Sequence, residues 1–356
     1  MHAAAKFEDI GLCNARGDQE AEFLALVDSQ RAELHSHCYR MLGSFHDADD
    51  ALQDTLFRAW RALPRFRGHS SLRTWLYRIA TNVCLDAIAR RPQRVLPIDY
   101  GPPSSAESSE GDGRMPAGVW IEPYPDEALG IADGAADPQA RYERREALEL
   151  AFIAALQHLP RRQRAALILR DVLGFTAREV AATLDTTEPA INGALRRARR
   201  AIGDRLPDGS QQATLRGLGD RRLRAIVERF VDSFERGDVS AILALLTDDA
   251  TFSMPPYPQW CQGPEAIAES WLMPSGPAGS LRYTRTSANG QPALGTYRIQ
   301  GATGVYVPIA LDVLTLRGEL IADVTAFREP ATFARFDLPV WLGDLPCGAA
   351  EQTTRG

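Results

Sequence analysis

The stretch GFTAREVAATLDTTEPAINGALRRARR, residues 174–200, constrains this chain more than any other feature. Thr176 is placed to cap a short helix over Ala177–Leu184, a tight turn fits Asp185–Thr186, and Thr187 can cap a second helix from Glu188. Pro189 falls in the first turn of that helix, where its missing N–H costs little. Ala181, Leu184, Ile191 and Leu195 have the spacing of an apolar seam between the two helices. Two short helices capped and joined in this way form a helix-turn-helix, whose second helix enters the major groove of DNA. Its C-terminal half presents Arg196, Arg197, Arg199 and Arg200, which would meet phosphates by charge without reading sequence. The plain alternative is a helical hairpin with a solvated arginine face; capping, spacing and clustering together favour DNA.

A second signal runs from Asp47 to Arg91. Residues 20–92 read as helices throughout, with Gly43 ending the first and Asp47 placed to cap the second. That second helix has an apolar face of Ala51, Leu52, Leu56, Ala59, Trp60 and Leu63, and DADDALQDTLFRAWRAL sets Asp50, Gln53, Asp54 and Phe57 on adjacent turns. After Pro64 and a short basic loop, Ser70 or Ser71 caps a third helix that buries Leu72, Trp75, Leu76, Ile79, Val83, Cys84 and Ile88. Opposite that stripe, Arg73, Thr74, Tyr77, Arg78, Thr81, Asn82 and Arg90 are expected to face out. Arginines interleaved with an aromatic and an Asn suit opened DNA, through stacking, base-edge contacts and phosphate neutralisation.

The net charge of −6 is unusual for a nucleic-acid binder, but it averages over unlike segments. Residues 93–140 carry 2 basic and 9 acidic side chains, whereas residues 141–206 carry 13 and 8. Arg61 to Arg91 holds seven arginines and one acid, Asp86. This asymmetry fits one acidic, protein-facing surface and two basic, DNA-facing ones. The five cysteines are scattered without zinc spacing, so neither metal nor cofactor is expected. The lack of any long apolar run or signal-like N-terminus leads to a cytoplasmic protein with no membrane partner.

Residues 93–138 read as an acidic Pro/Gly/Ser-rich linker, although the aromatic knot Trp120–Pro125 is expected to dock somewhere. Residues 207–220 read as a second, shorter tether. From Arg221 an amphipathic helix ends at Gly237 and a short one follows. Alternating strands come next, at Thr251–Met254, Leu281–Thr286, Ala293–Gln300, Gly304–Leu316 and Glu319–Arg328, with turns at Asn289–Gly290 and Arg317–Gly318. This predicts an α+β domain with a curved antiparallel sheet. A two-residue loop at Arg317–Gly318 would set Asp312 opposite Asp323, with one pKa raised; an exposed or Arg-paired couple is the favoured alternative. Trp260, Asp312 and Asp323 are the candidate pocket residues.

With these residues in view, the chain resembles a bacterial RNA polymerase sigma factor of the extracytoplasmic-function (ECF) type. DADDALQDTLFRAWRAL with RFRGHSSLRTWLYRIATN looks like that family's region 2, and LPRRQRAALILRDVLGFTAREVAATLDTTEPAINGALRRARRAI looks like region 4. Residues 221–340 resemble a SnoaL-like α+β cone. The resemblance implies a multidomain chain: an N-terminal tail (1–19), region 2 (20–92), a linker (93–138), region 4 (139–206), a linker (207–220), the SnoaL-like domain (221–340) and a C-terminal tail (341–356). It implies a non-enzymatic promoter-specificity subunit whose partners are core RNA polymerase and promoter DNA, modulated by the C-terminal domain through a ligand or protein regulator. Asp50, Gln53, Asp54 and Phe57 would dock on polymerase. Arg65, Arg67, His69, Arg73, Thr74, Tyr77, Arg78, Asn82 and Arg90 would read the melted minus-ten element. Thr187, Glu188, Ala190, Asn192 and the four arginines would read the minus-thirty-five element. Where the family often carries Lys-Ser-Arg in the recognition helix, this chain has Asn192–Gly193–Ala194, with fewer groove donors. Two other readings compete: a one-component ligand-sensing DNA-binding regulator, and a SnoaL-like enzyme with a DNA-binding appendage. The first leaves residues 47–91 unused, and the second lacks any histidine beyond His158.

Overall fold

The computed structural model describes residues 4–68, 70–104, 113–129, 143–207, 209–272, 277–301 and 304–343. They divide into two compact units. One comprises Met1–Gln93, Ala128–Asp133 and Ile153–Leu206; the other comprises Arg94–Glu127, Gly134–Phe152 and Pro207–Gly356.

The first unit is all helix. Its elements are α1 (Ala4–Leu42), α2 (Phe45–Ala62), α3 (Leu72–Ile88), α4 (Leu150–Gln157, which enters this unit at Ile153), α5 (Arg161–Leu167), α6 (Ala177–Thr183) and α7 (Glu188–Gly203). Helix α1 already runs from Ala4, where a tail was expected. Gly43, at φ +70°, reverses the chain after α1, and Ser44 rather than Asp47 caps α2, its Oγ accepting from the Asp47 N–H at 3.1 Å. Asp47 sits in the first turn instead, where a carboxylate suits the helix dipole, and pairs with Arg91. Ser71 caps α3. Cys38, Leu34, Leu52, Leu76 and Cys84 fill the core between α1, α2 and α3. Trp60 departs from the expected apolar face: it is exposed, its ring tilted against Phe23 at 6.1 Å.

The second unit wraps α8 (Gln211–Arg236) and α9 (Val239–Leu243) against six strands. These are β1 (Leu246–Ser253), β2 (Trp260–Gln262), β3 (Leu281–Ala288), β4 (Gln291–Ile299), β5 (Tyr306–Arg317) and β6 (Leu320–Phe327), in the order β2-β1-β6-β5-β4-β3. Strand β2, three residues long, has no alternation to betray it in the sequence. The sheet is mixed: β1 runs parallel to β6, where an antiparallel sheet was expected, because the last strand of the β3–β6 meander comes to lie beside the first strand. Ile226, Phe230, Leu294, Leu314, Ile321 and Val324 form its core with α8.

Residues 94–104, 113–127 and 209–220 of the two expected linkers belong to this unit's fold. The hairpin turn at Asn289–Gly290 has both residues left-handed (φ +56° and +69°), the two-residue loop that matches strand twist. The Tyr124 N–H donates to Asn289 Oδ1 at 2.9 Å, and the Asn289 N–H donates to the Tyr124 carbonyl at 2.8 Å. Asp126 Oδ1 accepts from Gly290 N–H at 2.7 Å. Trp120, Ile121 and Tyr124 are buried, so the aromatic knot docks at the hairpin tip. Residues 211–220 of the expected tether are the first part of α8, which is capped by Ser210 and kinked at Gly219. Its Gln211 amide exchanges hydrogen bonds with the backbone of Leu316 at 2.8 and 2.7 Å, which pins the segment to the sheet.

Candidate nucleic-acid interface

The helix-turn-helix forms as its sequence dictates. Thr176 and Glu179 make a reciprocal capping box on α6, with hydroxyl-to-carboxylate contact at 2.8 Å. Hydrogen bonds from the Thr176 backbone and hydroxyl hold the Glu179 carboxyl below its ordinary pKa. Asp185, at φ +48°, makes the turn, and Thr187 caps α7 by accepting from the Ala190 N–H. Ala181, Leu184, Ile191 and Leu195 are buried as the seam. Outward, Thr187, Glu188, Ala190, Asn192, Arg196, Arg197, Arg199 and Arg200 are all exposed. Arg199 is not a free cation: it donates to both carboxylate oxygens of Asp171 at 2.9 and 2.7 Å, which raises its pKa further.

On α2, Asp50, Gln53 and Phe57 are exposed and Asp54 is half-exposed, paired with Arg58 at 2.7 Å. Arg61 lies over the Phe57 ring at 5.5 Å, and Trp60 joins the same apolar patch. Helical periodicity groups Trp60 with the buried stripe, so spacing does not mark it as part of this exposed patch.

The third helix differs from expectation. Arg65, Arg67, Arg78, Asn82 and Arg90 are exposed, but Thr74 and Tyr77 are buried and Arg73 is half-buried. His69 lies outside the described residues. The cover comes from the chain entering α6. Thr74 Oγ1 donates to Glu179 Oε1 at 3.1 Å, and Arg73 Nη2 donates to the Leu173 carbonyl at 3.4 Å. The Arg73 guanidinium stands over Phe175 at 4.7 Å and Tyr77 at 5.0 Å, and the Tyr77 and Phe175 rings meet at 5.4 Å. Thr81, also expected outside, is buried and meets the His37 ring at 3.1 Å. A helix expected to have one buried side is buried on two, since α1 and α2 pack on one face and the α6 segment on the other.

Buried arginine secures this arrangement. Arg164 on α5 donates to the Met41 carbonyl at the end of α1 and to the Gln157 carbonyl at 2.8 Å, and Gln157 donates to the Arg40 carbonyl at 3.2 Å. Helix-terminal carbonyls that lack intrahelical partners are satisfied in this way. In LPRRQR, Arg164 looks like another surface cation; only its neighbours Ala165 and Leu167 hint that it turns inward.

In the sheet unit the three pocket candidates separate. Trp260 is buried beneath the 101–104 segment, its Nε1 donating to the Gly101 carbonyl at 2.8 Å. The β5–β6 loop is Gly318–Glu319 rather than Arg317–Gly318, and a bulge follows, so Asp312 lies opposite Ala326 and Asp323 opposite Thr315. Asp323 accepts from Thr251 at 2.5 Å and Thr325 at 2.9 Å. Burial raises the pKa of both acids, that of Asp312 to about 7. Asp312 lines a cavity. No helix among the described residues is long and apolar enough to cross a membrane.

Comparison with known proteins bears on all three parts. Residues 26–94 match Sigma-70 region 2, residues 149–202 match Sigma-70 region 4, and residues 227–324 match the SnoaL-like domain. The ECF RNA polymerase sigma factor SigG of Mycobacterium tuberculosis is 40% identical over 324 residues, spanning 90% of this chain and 85% of the relative. The ECF RNA polymerase sigma-E factor of Escherichia coli is 30% identical over 191 residues, 54% of this chain and 89% of the relative. The crystal structure of Mycobacterium tuberculosis extracytoplasmic function sigma factor SigJ shares the fold, with a TM-score of 0.58 at 22% identity over 89% of this chain and 99% of that one.

Proposed function

Because the chain belongs to the ECF sigma factors, the promoter-specificity subunits of RNA polymerase, we propose that α2 docks on core enzyme and that α3 and α7 read promoter DNA. Asp50, Gln53, Asp54 and Phe57, joined by Trp60, form the polymerase-facing patch. Arg65, Arg67, Arg78, Asn82 and Arg90 meet the minus-ten element, and Thr187, Glu188, Ala190, Asn192, Arg196, Arg197 and Arg200 meet the minus-thirty-five element. Arg199 reaches DNA only by leaving Asp171. Both partners place the protein in the cytoplasm. The observation that carries this reading is the recognition helix, whose apolar seam is buried while all eight outward residues are exposed.

The contact between α3 and the 173–179 segment is a closed state. Arg73, Thr74 and Tyr77 become available to the minus-ten strand when that segment moves away, so the two DNA-reading surfaces part on promoter binding. Binding to polymerase and DNA must favour the open form by more than the closed contacts favour the closed one. The SnoaL-like domain modulates this activity and catalyses no reaction. The test is co-purification with core polymerase. Gln53→Ala with Asp54→Arg abolishes it while helical content stays intact; a double mutant that still co-purifies puts the docking surface elsewhere.

A further inference from the structure

The concave face of the sheet carries a cavity of about 220 Å³. Strand register explains why it is hollow. Tyr283 pairs with Thr296 and Thr296 with Ala310, while Asp312 pairs with Ala326, so two alanines occupy the middle of the face. Arg328 follows Ala326 by two residues and falls on the same side, and Arg298 flanks Thr296. Phe234, Leu281 and Ile309 supply the apolar wall.

The charged groups of this cavity leave complementary hydrogen-bonding capacity for a ligand. Asp312 is 3% exposed; its Oδ2 accepts from Thr296 at 2.7 Å, but its Oδ1 has no hydrogen-bond partner among the described residues. Arg328, half-buried, and Arg298, exposed, both line the cavity; Arg328 stands over the Tyr257 ring at 5.9 Å and meets Met254 Sδ at 3.9 Å, and neither arginine forms an ion pair with a carboxylate among the described residues. Two arginines thus line the same cavity as one carboxyl group, whose pKa desolvation raises to about 7 although Arg328 acts to lower it. Tyr283 is the other titratable group on this face, and burial raises its pKa well above the ordinary phenol value.

We propose that this cavity binds a small hydroxylated organic acid, its carboxylate on Arg328 and Arg298 and its hydroxyl on Asp312 Oδ1. The excess positive charge selects an anion, and a guanidinium fork suits a carboxylate. The lone Oδ1 takes a hydroxyl in either protonation state, accepting when ionised and donating when protonated. The volume lies below the ~300–1,000 Å³ of pockets for drug-sized ligands, which limits the acid to a single ring or a short chain.

The test is calorimetric titration of the full chain with 4-hydroxyphenylacetate, against phenylacetate, which lacks the hydroxyl, and 4-hydroxyphenylethanol, which lacks the carboxylate. Saturable binding is expected for the first, and loss of either polar group weakens it by about tenfold or more. Arg328→Met removes the advantage of the carboxylate and leaves 4-hydroxyphenylethanol unchanged. Ala310→Leu fills the cavity and blocks all three compounds; should that variant fail to fold, Arg328→Met stands by itself as the decisive substitution. Absence of saturable binding by 4-hydroxyphenylacetate, binding that survives Ala310→Leu in folded protein, or indifference to Arg328→Met overturns the proposal.

Discussion

Arg199 and Arg200 are neighbours on one helix and do different work. Arg199 is spent on Asp171, while Arg196, Arg197 and Arg200 extend from α7 with no carboxylate partner among the described residues. Replacing those three with Ala therefore removes cations that are free to meet phosphates. The log–log salt dependence of promoter-duplex binding should flatten by roughly 0.9 for each phosphate no longer neutralised, which anisotropy titrations across salt concentration would measure. An unchanged slope removes the phosphate-facing assignment. Asp312 makes a second residue-scale prediction. Its folded pKa is raised to about 7, so the native state holds a proton that the unfolded state releases at about pH 4. Stability from this group is present at low pH and is lost as pH rises through that window, by at most ~1.4 kcal/mol for each pH unit crossed. Asp312→Asn should accordingly raise the melting temperature at pH 8 more than at pH 5, as scanning calorimetry would register.

At the scale of elements, the closed contact between α3 and the 173–179 segment predicts a gain from breaking it. Phe175→Ser removes the ring that covers Tyr77 and carries Arg73. The full-length variant should bind a single-stranded minus-ten oligonucleotide several-fold more tightly than the parent chain, and amides of α3 should exchange faster. Equal affinity with faster exchange would mean that the contact is structural and does not gate DNA binding. The same element shows what sequence could convey. The cap at Thr176, the cap at Thr187 and the seam from Ala181 to Leu195 depend on neighbours within a few residues, and all are legible by spacing. Burial of Thr74 and Tyr77 depends on Glu179 and Phe175, about a hundred positions away, and nothing in the α3 periodicity announces a second packing face. Likewise, a loop at Arg317–Gly318 would set Asp312 opposite Asp323, and a one-residue displacement with a bulge separates them.

For the whole molecule, composition misled where it suggested spacers. Pro, Gly, Ser and acidic residues describe 93–138, yet Trp120, Ile121 and Tyr124 are core residues of the sheet unit, held by the left-handed turn at Asn289. The polar start of α8 is likewise pinned, through Gln211. Removing residues 207–356 therefore does more than delete a domain: it strips the surface against which 94–127 folds. A chain ending near Leu206 should be cut rapidly by protease between Trp120 and Glu127, while the full chain resists there; equal resistance would contradict the docked arrangement. Point substitutions are thus the cleaner route to the central claim, that this chain directs polymerase to promoters through α2 and α7. In transcription initiated by the full chain with core RNA polymerase, the Gln53→Ala, Asp54→Arg double mutant should give no promoter-specific transcript while still binding promoter duplex by itself. Wild-type transcript levels from that mutant would contradict the account.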